Sequence, residues 1–233
     1  MGFLTEPGQL GRPRSPRLPI LGAALAALAA YGACGRDGSR APAPPPRPSQ
    51  AEQAWPSVSP LLHPEQGDER KALAIAAWVA ANATNEPAAP DAPVPPIRGL
   101  CGQRAGAFVE LARLAGLRAA RLDFSRFGDS AHSAALVWYD GDWHYFDVTY
   151  AGYFRRDGRI LSFAEIQSDP AAALAGMVVL PGSGLDRWSD GTPVDNRQRM
   201  RQAYTPETIA AARLRVPRTE PFGVPREEAP PPD

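Results

Sequence analysis

Residues 132–149 read His132-Ser-Ala-Ala-Leu-Val-Trp-Tyr139-Asp140-Gly141-Asp142-Trp-His144-Tyr-Phe-Asp147-Val-Thr149, and this stretch decides the fold. Two apolar runs flank an Asp-Gly pair, the strongest short-range signal for a β-hairpin closed by a two-residue turn. A tight turn at Asp140-Gly141 sets Tyr139 opposite Asp142, which places His132 opposite Thr149 and Ala134 opposite Asp147. Opposed residues share a sheet face, and successive residues alternate between faces. His132 and Asp147 therefore become diagonal neighbours on one face, with Cβ atoms roughly 7 Å apart, while His144 points to the other. A four-residue turn keeps this parity. A three-residue turn shifts the register by one and pairs the face of His132 with His144 instead.

Outward from the hairpin, strands are expected over 119–124, 133–139 and 142–148. Before them, a helix from Cys101 to Ala115, ended by Gly116, carries the buried stripe Cys101, Ala105, Phe108, Leu111/Ala112 and Ala115. An earlier helix, capped by Asp68 and running to about Asn82, offers Leu73, Ile75, Trp78 and Val79. Residues 85–96 read as a Pro/Ala loop. Downstream, Ser162 with Glu165 forms a capping-box pattern for a helix interrupted around Pro170. Met177–Leu180 is a further strand candidate, and Thr205-Pro206-Glu207 opens a short helix to about Leu214. No internal repeat is present. Two helices followed by strands indicate an α+β fold with an antiparallel sheet.

The 233 residues allow one domain with appendages, and 25 basic against 25 acidic residues give zero net charge. That balance argues against a nucleic-acid partner, which requires a basic excess. Of 27 prolines, eight fall between Pro42 and Pro64, five between Pro87 and Pro96, six between Pro217 and Pro232, and none in 97–169. The expected division is a signal peptide over 1–33, a Pro-rich tether over 34–67, a domain over 68–216 and a disordered tail over 217–233. Arg12, Arg14 and Arg17 precede a 16-residue apolar stretch, Leu18 to Ala33, short of the roughly 20 residues of a spanning helix. This is a secretory-signal pattern and predicts export to the periplasm or cell envelope; an uncleaved marginal anchor is the competing reading. Tyr31-Gly-Ala-Cys34-Gly resembles the lipobox of bacterial lipoproteins, which implies lipidation of Cys34 and a membrane anchor. Tyr31 stands where that motif has an aliphatic residue, so ordinary cleavage near Gly32 or Gly35 competes.

The only cysteines are Cys34 and Cys101, and the only histidines are His63, His132 and His144. With Cys34 lipidated or removed, Cys101 is a lone thiol in an exported protein and a candidate reactive group; a buried, inert cysteine is the bland alternative. A nucleophilic cysteine needs an imidazole to take its proton and a third group to orient that imidazole. At a helix N-terminus Cys101 gains thiolate stabilisation from exposed N–H groups and the helix dipole. If its helix packs on the face carrying His132, a Cys101–His132–Asp147 triad forms. His63, in the Pro-rich segment, reads as a bystander. No Cys/His pair has zinc-ligand spacing, so neither a metal site nor a cofactor is expected. Gln103 and Arg104 are either substrate contacts or a solvent-facing first helical turn.

The segments Gly99-Leu-Cys101-Gly-Gln103, Gly116-Leu-Arg-Ala-Ala-Arg121, His132 and Trp143-His-Tyr-Phe-Asp147 together resemble the transglutaminase-like cysteine hydrolase superfamily over about fifty residues. The resemblance implies a papain/transglutaminase-like core, with a Cys-bearing helix packed on an antiparallel sheet and His and Asp on adjacent strands. It maps Cys101 to the nucleophile, His132 to the base and Asp147 to the orienting carboxylate. The implied reaction is attack on an amide bond of a protein or peptide-like substrate, with the thioester passing to water or to an amine. Ser133-Ala134-Ala135 depart from the family, where many relatives carry a larger aromatic or acidic residue, which leaves the substrate contacts open. Two other readings stand beside this one: a non-catalytic binding or accessory module of the same fold in cell-envelope assembly, and a structural lipoprotein.

Overall fold

The computed structural model describes residues 47–84, 86, 94–180 and 192–215. Its first helix, α1 (Gln50–Val58), lies where the proline density suggested a tether. Ser49 Oγ accepts from the Glu52 N–H at 3.0 Å and the Glu52 carboxylate accepts from the Ser49 N–H at 2.7 Å, a reciprocal cap that satisfies two N-terminal donors. Ala51, Ala54 and Val58 are fully buried. The Ser49 hydroxyl donates to Glu110 at 2.6 Å, and the Gln50 amide brackets the main chain of Arg98 at 2.8 and 3.2 Å. The tether expected over 34–67 therefore does not extend through this stretch: from Ser49 onward the chain belongs to the folded domain.

Helix α2 (Asp68–Asn82) spans the expected residues, but Gly67 occupies the cap and Asp68 the first turn, where its charge complements the helix dipole. A short parallel pair, β1 (Ala83–Thr84) and β2 (Ile97–Arg98), leads into α3 (Cys101–Leu114). Then come β3 (Arg118–Phe127), β4 (Ser130–Tyr139), β5 (Asp142–Asp147), β6 (Gly152–Arg156) and β7 (Arg159–Ile160). The remaining elements are α4 (Phe163–Ser168), α5 (Pro170–Ala175), β8 (Met177–Val179), α6 (Asn196–Ala203), α7 (Pro206–Ala211) and β9 (Arg213–Leu214). The expected helix to Leu214 stops at Ala211, and the next residues pair with β3 as β9. Among the described residues the main sheet runs β7-β6-β5-β4-β3-β9, with β8 on β6, and its pairings are antiparallel. The fold is α+β.

The hairpin closes as its turn chemistry requires. Asp140 and Gly141 take φ of 50° and 82°, the left-handed pair of a tight two-residue turn, and the ladder runs from Tyr139↔Asp142 to Ala135↔Phe146. Ala135, Val137, Tyr139 and Phe146 share an apolar cluster with α1, α2 and α3, where the Phe108 and Phe146 ring centroids lie 5.5 Å apart. Ala134, Leu136, Trp143 and Tyr145 face the other way, into a cluster with Phe163, Ile166, Ala173, Met200, Tyr204 and Ile209 from the later helices and their connections. The sheet is thus covered on both sides. Helix α3 covers the face of His144, not that of His132, contrary to the arrangement expected for a triad.

Among the described residues no helix is long and apolar enough to cross a membrane. The expected signal peptide, Cys34 and the tail over 217–233 lie outside the described residues.

Candidate active site

Although α3 lies on the opposite face, its N-terminal tip reaches His132. Pairing between β4 and β5 stops at Ala135↔Phe146, so Ala134 and Asp147 are not paired with each other, and Asp147 pairs with Gly152 of β6 instead. The helix tip meets β4 beside this point: a Cβ added at Gly102 would lie 3.8 Å from Ser133 Oγ. Gly99 directs the chain into the helix with φ +126°, and a side chain there would collide with Gln103, 2.6 Å away. Gln103 Oε1 in turn accepts from the Leu100 N–H at 3.1 Å and closes the first turn.

Cys101 is a free, half-buried thiol. Its sulfur lies within the electrostatic influence of His132 and of the main chain of Ser133 and Gly102, each of which favours the thiolate. The Ser133 position is itself braced, because its hydroxyl donates to Asp123 Oδ1 at 2.5 Å while Arg121 holds Asp123 Oδ2 at 2.7 and 3.0 Å. His132 Nε2 lies 2.7 Å from Asp147 Oδ2, so a bond from the ring to sulfur would use Nδ1. Asp147 Oδ1 accepts from the Thr149 and Tyr150 N–H groups at 2.9 and 3.4 Å, and Oδ2 also accepts from the Tyr204 hydroxyl. The structure thus pairs His132 with Asp147 through a hydrogen bond and sets Cys101 within electrostatic reach of His132.

Electrostatics follows from this geometry. The bond from His132 lowers the Cys101 thiol below its ordinary value; burial opposes that, and the histidine's charge and the two main-chain N–H groups reinforce it. Burial by itself would lower His132, but the charge and hydrogen bond of Asp147, followed by those of Cys101, push it up to about 10. Burial would likewise raise Asp147, yet His132, Tyr204 and the Thr149 N–H hold its carboxyl below the usual range. These shifts all favour a thiolate beside an imidazolium backed by a carboxylate. His132 is 7 % exposed and Asp147 fully buried. The rings of Phe127, Tyr150 and Phe124 surround the imidazole at centroid distances of 5.2, 5.8 and 6.1 Å. Such a water-poor setting strengthens the charge pair.

The other candidates fall elsewhere. His144 sits on the opposite face with Nδ1 2.7 Å from the Ile160 carbonyl oxygen and Nε2 3.0 Å from that of Tyr139. His63 is exposed on the segment between α1 and α2. Arg104 is neither solvent-facing nor at an open surface: it is 1 % exposed and donates to the carbonyls of Thr84 and Thr149 at 2.9 and 3.4 Å. It thereby ties the helix to β1 and to the turn that holds Asp147. Among the described residues no cluster of three or more His, Cys, Asp and Glu could hold a metal ion. A groove of about 400 Å³ between α1, α3 and β3 begins at Gln103 and extends to Arg121. Cys101 does not line it, so it is not the reaction centre.

Sequence reasoning missed Tyr204 and the braced Ser133, whose main chain flanks Cys101 together with the expected N–H groups of the helix N-terminus. Nothing in local periodicity marks Tyr204, which contacts Asp147 across 57 residues of chain. Comparison with protein-family models, curated proteins and solved structures found no match to this chain.

Proposed function

We propose that this protein is an exported cysteine hydrolase or acyltransferase with a papain/transglutaminase-like core, acting on amide bonds of a protein or peptide-like substrate. The observation that carries the reading is the buried His132–Asp147 pair, with Nε2 2.7 Å from Oδ2, beside a Cys101 thiol that His132 lowers. Perturbed titratable groups in such an arrangement mark a functional site more often than a structural one. The Cys101 thiolate attacks the carbonyl carbon, forming a C–S bond while the carbonyl π electrons move to oxygen. In this reading the N–H groups of the first turn of α3, which lack intrahelical partners, donate to that oxyanion. His132 returns its Nδ1 proton to the leaving amine as the C–N bond breaks. Water or a second amine, deprotonated by the now neutral imidazole, then resolves the thioester.

The test is the pH dependence of Cys101 alkylation by iodoacetamide in the full chain carrying Cys34→Ser. An activated thiolate reacts well below the free-thiol range near about 8.5. Asp147→Asn, which keeps size but removes the charge and favours the wrong tautomer, is expected to slow the reaction near neutral pH by on the order of tenfold or more. A wild-type rate that tracks a free thiol favours the accessory-module or structural reading. Anchoring through lipidated Cys34 belongs to the same proposal. Labelled fatty acid should enter the wild-type chain and not Cys34→Ser, and equal labelling of the two overturns it.

A further inference from the structure

We propose that Tyr204 is a positioning residue of the candidate triad: its hydroxyl, supported by that of Tyr145, fixes the carboxylate of Asp147 that aims His132 at Cys101. This rests on the acyl-transfer reading above and adds to it a residue outside the three triad positions.

The direction of the bonds follows from donor chemistry. An ionised carboxylate only accepts, so the Tyr204 hydroxyl must donate to Asp147 Oδ2. Its oxygen is then free to accept from the Tyr145 hydroxyl, its second partner. Tyr145 lies on β5 two residues before Asp147 and therefore on the same face. The relay Tyr145–Tyr204–Asp147–His132 is thus closed on one side of the sheet.

Tyr204 is held as a positioning group requires. Its N–H caps α6 by donating to the Met200 carbonyl at 2.8 Å, and the next residue, Thr205, caps α7 through Thr208 at 3.1 Å. Its ring packs edge-on against Phe127 at 4.8 Å and lies 5.1 Å from Phe154 and 6.2 Å from Tyr150. It is 1 % exposed. A hydroxyl fixed between two helix caps and three rings cannot follow a rotating carboxylate, so it restrains one. Without it, Oδ2 keeps only His132 and the carboxylate is held by the two main-chain donors on Oδ1. The titratable groups acting on Asp147 are His132 from β4, Tyr145 from β5, Tyr150 from the following turn, Tyr204 after α6 and Arg104 from α3, with Cys101 beside His132 and Arg199 of α6 over the Tyr150 ring.

The experiment compares Tyr204→Phe and Tyr145→Phe with the parent in the full chain carrying Cys34→Ser. It uses two readouts, the pH profile of Cys101 alkylation by iodoacetamide and the ring ¹⁵N signals of His132. For Tyr204→Phe, which keeps the ring, we expect an acid limb moved toward neutral pH and a rate at pH 6 lower by on the order of tenfold, the effect of one pKa unit. The His132 ring signals should shift with it, while the melting temperature changes little. Tyr145→Phe should move both readouts less and in the same direction. If Tyr204→Phe does not fold, Tyr145→Phe decides alone, since its hydroxyl reaches the triad only through Tyr204. Alkylation profiles and His132 signals that superimpose on the parent overturn the proposal, as does a fall in melting temperature with neither readout moved. A parent thiol that titrates as a free cysteine would defeat the acyl-transfer reading alone, because the His132 signals would still report whether Tyr204 holds Asp147 on the imidazole.

Discussion

The two histidines of one hairpin sit on opposite faces of the sheet and have opposite surroundings. His144, 3 % exposed on the face covered by α3, stacks on Tyr139 at 3.6 Å and has a main-chain carbonyl oxygen against each ring nitrogen. His132, nearly as buried, has a carboxylate on one nitrogen and a thiol on the other. Carbonyls anchor an imidazole to the backbone and give it nothing to exchange a proton with. A carboxylate stabilises the imidazolium and a thiol supplies its proton. Burial and residue type are shared, so the partners alone separate a packing histidine from a candidate base.

The tyrosines repeat the contrast. The Tyr139 hydroxyl on the α3 face is buried without a hydrogen-bond partner, whereas Tyr145 and Tyr204 on the other face bond to each other and, through Tyr204, to Asp147. Of these three tyrosines, one packs with its hydroxyl unpartnered and two join a network.

The largest expected break in this comparison is His132→Ala. The Cys101 thiol loses its main stabilising partner and returns toward the free range, so its alkylation at pH 6 should fall by on the order of a hundredfold. Rate constants across pH check this. His144→Ala should do the reverse. It removes the ring's contacts with the Ile160 and Tyr139 carbonyls and opens space beside Tyr139, at a cost of about 2–4 kcal/mol in denaturant unfolding, with the alkylation profile unmoved. If the loss of reactivity follows His144 instead, the assignment of roles to the two faces is wrong.

A subtler effect separates the coupled pair from its parts. His132's raised value contributes stability that is complete below its ordinary 6.5 and is lost as pH rises through about 10. Cys101's lowered value contributes stability that is complete above its ordinary 9.0 and is lost as pH falls through its folded value. Between the folded value of Cys101 and 9.0 the two slopes oppose, because the proton absent from sulfur is the one held on the ring. In Cys101→Ser only the histidine slope survives, supported by Asp147. Melting temperature should then decline more steeply with rising pH than in the parent, and a serine variant whose curve parallels the parent's would remove the coupling. The smallest effect is expected for Tyr139→Phe. Deleting an unpartnered buried hydroxyl should leave stability unchanged or raise it by up to about 1 kcal/mol, with the same alkylation profile. A clear loss would mean that this hydroxyl has a role the packing does not reveal.

How much of this was legible depends on the range over which each feature is set. The Asp140-Gly141 turn and the twofold period of a strand act within a few residues, so the register and the placement of His132 and His144 on opposite faces could be read directly. The same holds for α2, α3 and the Ser162–Glu165 cap, each fixed by neighbours along one helix. The Ser49–Glu52 cap with Ala54 and Val58 was equally local, and the surrounding prolines masked it. The meeting of Cys101 with His132 was not local. Reading it required knowing that α3 lies on the far face and that β4 and β5 part beyond Ala135↔Phe146, letting the helix tip reach the imidazole from the edge. Tyr204 was further still from view, brought to Asp147 by two short helices packed under the sheet. The sequence by itself determined which residues share a strand face, because alternation and turn chemistry are properties of adjacent residues. Only the tertiary structure decided which of them touch, because contact across a sheet edge depends on how every intervening element packs.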